Sequence, residues 1–253
     1  VEEAVTRLRK LAPRRVLEIG CGTGLILMRL APDCEEYIGT DFLLWALAYI
    51  EEYAQHRADL AHVQLRHRLA GDLGDITTDS LDLVILNSVI QYFPDLTYFL
   101  NVLTHAVRVT KPGGHIYIGD VRSLPLLEAY HASVQLAKAP ATLSTAELRQ
   151  RIRVAQQNEE ELLVDPELFD ELGRNWSGVS HVNVSPKAGG YDNELSQFRY
   201  DVTLTVGPNA TLMEPARWVT WDAASQWQVA VERRLANHPE DAFGIRGVPE
   251  GRL

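Results

Sequence analysis

Residues Val16-Leu17-Glu18-Ile19 read as a short apolar strand that runs without a break into Gly20-Cys21-Gly22-Thr23-Gly24. No other stretch limits the fold as much. A strand that enters a glycine-rich turn and then a helix opens a βαβ unit, and the glycines let the backbone come close to a ligand. About twenty residues further on, the spacing such units use, Tyr37-Ile38-Gly39-Thr40 reads as a second strand ending in Asp41. A carboxylate there is placed to accept hydrogen bonds from a ribose diol. These features make half of a nucleotide-binding βαβαβ unit.

The glycine spacing narrows the nucleoside. A dinucleotide fingerprint sets its third glycine where Leu25 stands here, so that a pyrophosphate meets the helix N-terminus. In this chain the third glycine comes one position early. With Glu18 ahead of it, the pattern E-x-G-x-G-x-G resembles motif I of the class I S-adenosylmethionine (SAM) methyltransferases.

Strands and helices alternate to about residue 120. A helix around Val1 to Leu11 comes before the first strand, and another around Leu43 to Tyr53 follows the second. Val63, Leu65 and Leu69 suggest a third strand leading to Gly71-Asp72. Leu81 to Leu86 is a fourth, nearly all apolar, as in a strand covered on both faces. Leu96, Phe99, Leu100, Leu103 and Val107 mark a helix, and Lys111-Pro112-Gly113-Gly114 turns it into a strand from His115 to Gly119. The alternation predicts an α/β fold of the Rossmann-like kind, a mostly parallel, doubly wound sheet.

From there to Gly173 the pattern is helical. Ser144 with Glu147 makes a capping box, and Asp165-Pro166 caps a shorter helix. Two β-rich runs follow, Val179 to Val184 and Phe198 to Val206, joined by a loop containing Gly189-Gly190 and Asn193-Glu194, which reads as a hairpin. The expected division is a core over 1–206, with a helical lid over about 121–173 inserted after the fifth strand. An extension over 207–253 follows, with a helix around Ala223 to Leu235.

Composition limits the partners. The formal net charge is −10 and no Lys/Arg run is longer than a few residues, so the basic track that neutralises nucleic-acid phosphates is missing. No apolar run approaches the ~20 residues that span a bilayer, and no signal peptide is read. The two cysteines, Cys21 and Cys34, suit a reduced, cytoplasmic protein. No His/Cys/Asp/Glu cluster has metal-ligand spacing. A chain opening at Val1 is expected to be part of something longer.

Later runs sharpen the resemblance. Leu86-Asn87-Ser88-Val89-Ile90-Gln91-Tyr92-Phe93-Pro94 is similar to a motif of the methyltransferase domains embedded in modular nonribosomal peptide and polyketide synthases. The run from Gly119-Asp120-Val121-Arg122-Ser123 through Gln135 is similar too, and so is the run from Asn193 to Val202. The closing Gly247-Val248-Pro249-Glu250-Gly251-Arg252-Leu253 resembles the boundary after such domains, with Glu250 in place of the usual Asn. The resemblance covers nearly the whole chain. It implies a seven-stranded sheet with a C-terminal antiparallel hairpin, SAM as cofactor, neighbouring synthase domains, and a carrier protein bearing a phosphopantetheine-tethered substrate.

In an open α/β sheet, ligands sit beyond the carboxyl ends of the parallel strands. Glu18, Gly20, Cys21, Gly22 and Gly24 are therefore assigned to the methionine part of SAM, and Asp41 to the ribose. Asp72 is expected near the adenine amino group and Leu73 on the ring, while Asn87 and Ser88 end the fourth strand. Phe42, with Tyr92 and Phe93, is placed to flank the pocket. Of the eight histidines, His131 is the candidate general base, since it follows the fifth strand and emerges at the cofactor end. Glu194, in the hairpin loop at the same end, is the expected carboxylate to orient it. This dyad favours O-methylation of a tethered β-hydroxyl. N-methylation of a tethered α-amine is the alternative, and a stand-alone enzyme for free small molecules is a third reading.

Overall fold

The computed structural model describes residues 1–187, 193–208, 215, 217–221, 227–238 and 243–248. The chain divides into two compact units, Val1–Asn209 and Ala210–Leu253. The first begins with helix α1 (Glu2–Arg9), strand β1 (Arg15–Ile19), helix α2 (Leu27–Leu30), β2 (Glu36–Asp41), α3 (Leu44–Ala54) and β3 (Val63–His67). It continues through β4 (Leu81–Asn87), α4 (Leu96–Val109) and β5 (Thr110–Arg122) to three helices, α5 (Leu127–Lys138), α6 (Thr145–Gln157) and α7 (Pro166–Asn175). It ends with β6 (Val179–Pro186), the short α8 (Glu194–Gln197) and β7 (Arg199–Val206).

Seven strands make one sheet in the order β3-β2-β1-β4-β5-β7-β6. β1 to β5 pair in parallel. β7 runs against both of its neighbours, so β6 points the same way as the parallel set. This is the expected methyltransferase-like sheet with its antiparallel pair.

Both faces are covered. Leu8 of α1, Leu27 and Leu30 of α2 and Ile50 of α3 pack with Val16, Leu83 and Ile85 on one side. Phe99, Val102 and Leu103 of α4 and Phe169 of α7 pack with Leu17, Val84 and Leu86 on the other. Each such buried side chain contributes about 1.5–3 kcal/mol by leaving water. The spacing on α4 aims its apolar stripe at the sheet, and the Asp95 carboxylate caps it by accepting the Tyr98 N–H at 2.8 Å.

Several bounds differ from the sequence reading. The helix after the glycine turn is a single turn, because Pro32 follows in a 3₁₀ turn over Ala31–Asp33. β3 stops at His67, so Leu69 lies beyond the strand. β5 starts at Thr110, with Lys111–Gly114 absorbed where its register against β4 shifts. The Ser144/Glu147 capping box forms in full. Gly189-Gly190, the expected hairpin turn, lies outside the described residues.

The second unit has β8 (Arg217–Thr220), α9 (Trp227–Asn237) and β9 (Phe243–Arg246), with β8 and β9 paired in parallel. The Arg234 guanidinium lies 5.3 Å from the Phe243 ring centroid. Ala223, in the expected helix, and Pro249 to Leu253, in the expected boundary motif, lie outside the described residues.

Candidate active site

The turn after β1 is built by the end of β2. The Thr40 carbonyl accepts the Gly20 and Cys21 N–H groups at 2.7 and 2.9 Å, and Asp41 Oδ2 accepts the Gly22 N–H at 2.8 Å. These amides therefore serve the fold, which is why the turn is no phosphate cradle. Gly20 is required twice over. Its φ is +71°, and a Cβ there would stand 2.4 Å from Val89 Cγ2. At Gly22, with φ +51°, a Cβ would meet nothing within 4 Å, so open space lies beside the backbone.

That space belongs to a cavity of about 750 Å³ at the carboxyl ends of the parallel strands. Ile19, Gly20 and Gly22 line it from β1 and its turn, and Thr40 to Leu43 from β2. Arg68 to Ala70 come from beyond β3, Ser88 and Val89 from beyond β4, and Tyr92, Phe93, Pro94 and Tyr98 close the remaining wall. The volume falls in the range of small-molecule clefts, about 300–1,000 Å³. Asp41, 6% exposed, accepts the Gly22 N–H on Oδ2 and the Leu43 N–H on Oδ1, each at 2.8 Å. An ionised carboxylate accepts about four hydrogen bonds, so capacity remains for a diol. A curved glycine backbone, a carboxylate on the rim and exposed apolar walls at Phe42 and Leu69 fit a nucleoside bearing an amino-acid tail.

Of the residues singled out from the sequence, Gly20, Gly22, Asp41, Phe42, Ser88, Tyr92 and Phe93 line this cavity. Glu18 stands behind the turn. It is buried, accepts the Tyr37 hydroxyl at 2.7 Å, and burial pushes its carboxyl up to about 7 against the lowering effect of that bond. Cys21 packs into the core, where burial pushes its thiol well above the ordinary range. Gly24 fits closely over Ile50 and Met28. Asn87 donates from Nδ2 to Ser88 Oγ at 3.1 Å.

Two placements are corrections. Leu73 is wholly buried in the core, and the Asp72 side chain is exposed, away from the cavity lining. Because β3 ends at His67, the chain turns over the cavity at Arg68, Leu69 and Ala70 instead. Asp72 contributes a carbonyl, which accepts from Arg68 Nη1 at 2.9 Å. Arg68, Leu69, Val89 and Tyr98 were not anticipated, since alternation marks a strand but not the residue at which it stops.

The second correction concerns His131. It is buried, but the carboxylate beside it is Glu159, whose Oε2 lies 3.1 Å from His131 Nε2. Glu194 is exposed in α8. Arg122 decides the outcome. Its guanidinium, stacked 4.7 Å from the Tyr130 centroid, donates to Glu159 and to Glu161, and so draws the segment after α6 onto the end of β5. Burial alone would raise the Glu159 carboxyl. Arg122, the Glu161 N–H and His131 override this and hold it below the usual range.

A methyltransferase domain model matches residues 17–116, from within β1 through β4, including the glycine turn and Asp41. The chain is 43% identical over its whole length to a segment of the chondramide synthase of Chondromyces crocatus, and spans 7% of that protein. It is 39% identical over 99% of its length to a probable non-canonical nonribosomal peptide synthetase, CymA, of Salinispora arenicola, and spans 3% of it. Among solved structures, the N-methyltransferase NodS of Bradyrhizobium japonicum, in complex with S-adenosyl-L-homocysteine, superposes with a TM-score of 0.55. That match covers 81% of this chain and 86% of the other at 18% identity, and so speaks for the fold.

The chain belongs to the SAM-dependent methyltransferases. When bound, SAM supplies an electrophilic methyl group on a sulfonium. A methyltransferase of this kind needs its protein chiefly to position the acceptor and exclude water. Among the described residues, no helix is long and apolar enough to cross a membrane.

Proposed function

We propose that this methyltransferase domain methylates the α-amine of an aminoacyl group tethered to a carrier protein in a peptide-assembling synthase. The observation that carries this reading is the placement of His131. Its ring is bonded to Glu159, and no histidine is among the residues lining the cavity. An alcohol gains from proton removal as it attacks, a contribution of typically ~10²–10⁴-fold. An α-amine, with an ordinary pKa near ~8, already has a neutral fraction with a free lone pair at neutral pH. A cavity without an imidazole therefore suits nitrogen better than oxygen. The relatives point the same way, because a peptide synthetase handles amino acids, whose natural nucleophile is the amine.

In this reading Asp41 holds the ribose diol of SAM, the Gly20 to Gly24 turn lies against its methionine part, and Phe42 and Leu69 flank the base. The tethered acceptor enters past Tyr92, which is 72% exposed at the cavity wall. The carrier protein and the neighbouring synthase domains are the partners.

The test offers purified protein and SAM two carrier proteins, one bearing an aminoacyl and one a β-hydroxyacyl thioester. Intact-mass spectrometry should find the added methyl group on the aminoacyl carrier. Methylation of the hydroxyacyl carrier alone would overturn the amine reading and return His131 to the role of general base.

A further inference from the structure

Among the described residues, four non-glycine residues have left-handed backbones: Ala12, Asp79, Ser88 and Asp120. Ala12 and Asp79 are exposed in turns. The other two, with φ of 56° and 68°, are joined behind the cavity wall that Ser88 lines, where Ser88 Oγ donates to Asp120 Oδ2 at 2.9 Å. Disfavoured backbone of this kind persists where surrounding contacts enforce it, and it gathers at functional positions. Those contacts are visible. The Ser88 N–H donates to the Gly119 carbonyl at 3.0 Å, and the Asp120 N–H to Asp201 Oδ1 at 2.9 Å, beside the shift in β5–β7 register. Arg199 donates to Asp120 Oδ2 at 2.7 Å, and Lys187 Nζ lies 3.7 Å from Oδ1. Asp120 is thus a fixed acceptor, and the Ser88 proton points at it.

A serine hydroxyl has one proton and two lone pairs. In Ser88 the proton goes to Asp120 and one lone pair takes the Asn87 amide, while the residue itself lines the cavity. One acceptor site remains. We propose that Asp120 is a positioning residue for methyl transfer: it holds the Ser88 proton so that Ser88 meets the acceptor amine purely as a hydrogen-bond acceptor. The proposal rests on the amine reading above. An amine N–H given to Ser88 fixes the nitrogen with its lone pair free. If the hydroxyl turned the other way, it would donate into that lone pair and tie up the electrons that attack. Neither residue exchanges a proton. The N–CH3 bond forms as the sulfonium S–CH3 bond breaks and S-adenosylhomocysteine leaves; the methylated nitrogen then sheds its proton to solvent, while Ser88 keeps its own and Asp120 stays a carboxylate.

The experiment compares Asp120→Asn, Ser88→Gly and the double variant with the wild type. Asn tolerates a left-handed backbone and Gly adopts one without a steric penalty, so both replacements suit the local conformation. Readouts are kcat and KM for an aminoacyl carrier protein, SAM affinity by calorimetry, and the affinity for that carrier with S-adenosylhomocysteine present. Loss of one oriented hydrogen bond should lower kcat/KM by at least ~10-fold in each single variant. SAM affinity should stay within a few-fold, and the double variant should match Ser88→Gly, since Asp120 acts only through Ser88. Asp120→Asn at the wild-type rate, or multiplied losses in the double variant, overturns the proposal while leaving the amine reading intact. A wild type that methylates only a hydroxyacyl carrier overturns both. Should Asp120→Asn not fold, Ser88→Gly decides: full activity refutes the role of Ser88, and a rate loss with normal SAM affinity supports it.

Discussion

At the ends of β1 and β2, the key carboxylate is held by backbone. Asp41 takes the N–H groups of Gly22 and Leu43, so its position follows from the backbone of the glycine turn and of its own strand end. At the end of β5, Glu159 is held by side chains. Arg122 and His131 reach it from positions 37 and 28 residues away. The first arrangement rests on main-chain donors. The second is an ion cluster whose members each depend on the others, so it fails as a unit when one is removed. The cavity wall at β1 and β2 is therefore set by the sheet, while the segment between α6 and α7 is fastened to β5 by charge.

The largest expected break is Arg122→Ala. It strands Glu159 and Glu161 at the lid, and losing one partner of a buried pair costs about 3–5 kcal/mol. Urea unfolding should report that loss, with the first signs in the lid helices by hydrogen exchange. A loss under ~1 kcal/mol, the usual worth of an exposed pair, would mean that the lid is not fastened this way.

The two regions should also answer pH in opposite senses. Glu18, near 7 when folded against an ordinary 4.5, binds its proton more tightly in the native state. Its stabilising contribution is full below pH 4.5 and is lost as pH rises to about 7. The loss amounts to up to roughly 3 kcal/mol, which Glu18→Gln should remove. Glu159, held low, contributes above its ordinary 4.5 and loses that contribution as pH falls below it. Unfolding free energies across pH 3–8 for wild type and Glu18→Gln check both signs, and identical curves for the two proteins would contradict the first.

Next in size, Asp41→Ala should weaken SAM binding by roughly 1–3 kcal/mol, because a buried diol loses its charged acceptor. Calorimetry measures it, and unchanged affinity would remove Asp41 from the ribose. The smallest effects belong to the residues chosen first as the catalytic dyad. With an aminoacyl carrier, His131→Ala should keep its turnover within ~10-fold, short of the typical ~10²–10⁴-fold of a lost general base. Glu194→Gln, at an exposed site, should change stability by no more than ~0.5 kcal/mol. A drop of ~10²-fold in His131→Ala would restore the general base.

Legibility from sequence tracked locality. Val16 to Gly24 and Asp41 could be read because turn, strand and carboxylate lie close along the chain and their chemistry is that of backbone. Asp72 and Leu73 were misplaced because the end of β3 is decided by where β2 stops pairing: Asp41↔His67 is the last pair. Beyond it the chain departs at Arg68, whose N–H still reaches the Asp41 carbonyl at 3.0 Å. Glu159 went unread as the partner of His131, since nothing in the spacing of polar residues between α6 and α7 says which one Arg122 will draw inward.

By itself, the sequence determined the alternation of elements, the glycine turn, the carboxylate at the end of β2 that lines the cavity and the kinship with synthase methyltransferases. Each of these rests on short-range geometry or on contiguous motifs. The tertiary structure alone decided which carboxylate meets His131, which residues beyond β3 wall the cavity, and that Ser88 faces Asp120 across β4 and β5. Those contacts join segments far apart in sequence, and only sheet pairing and the desolvation of buried charge choose among the candidates.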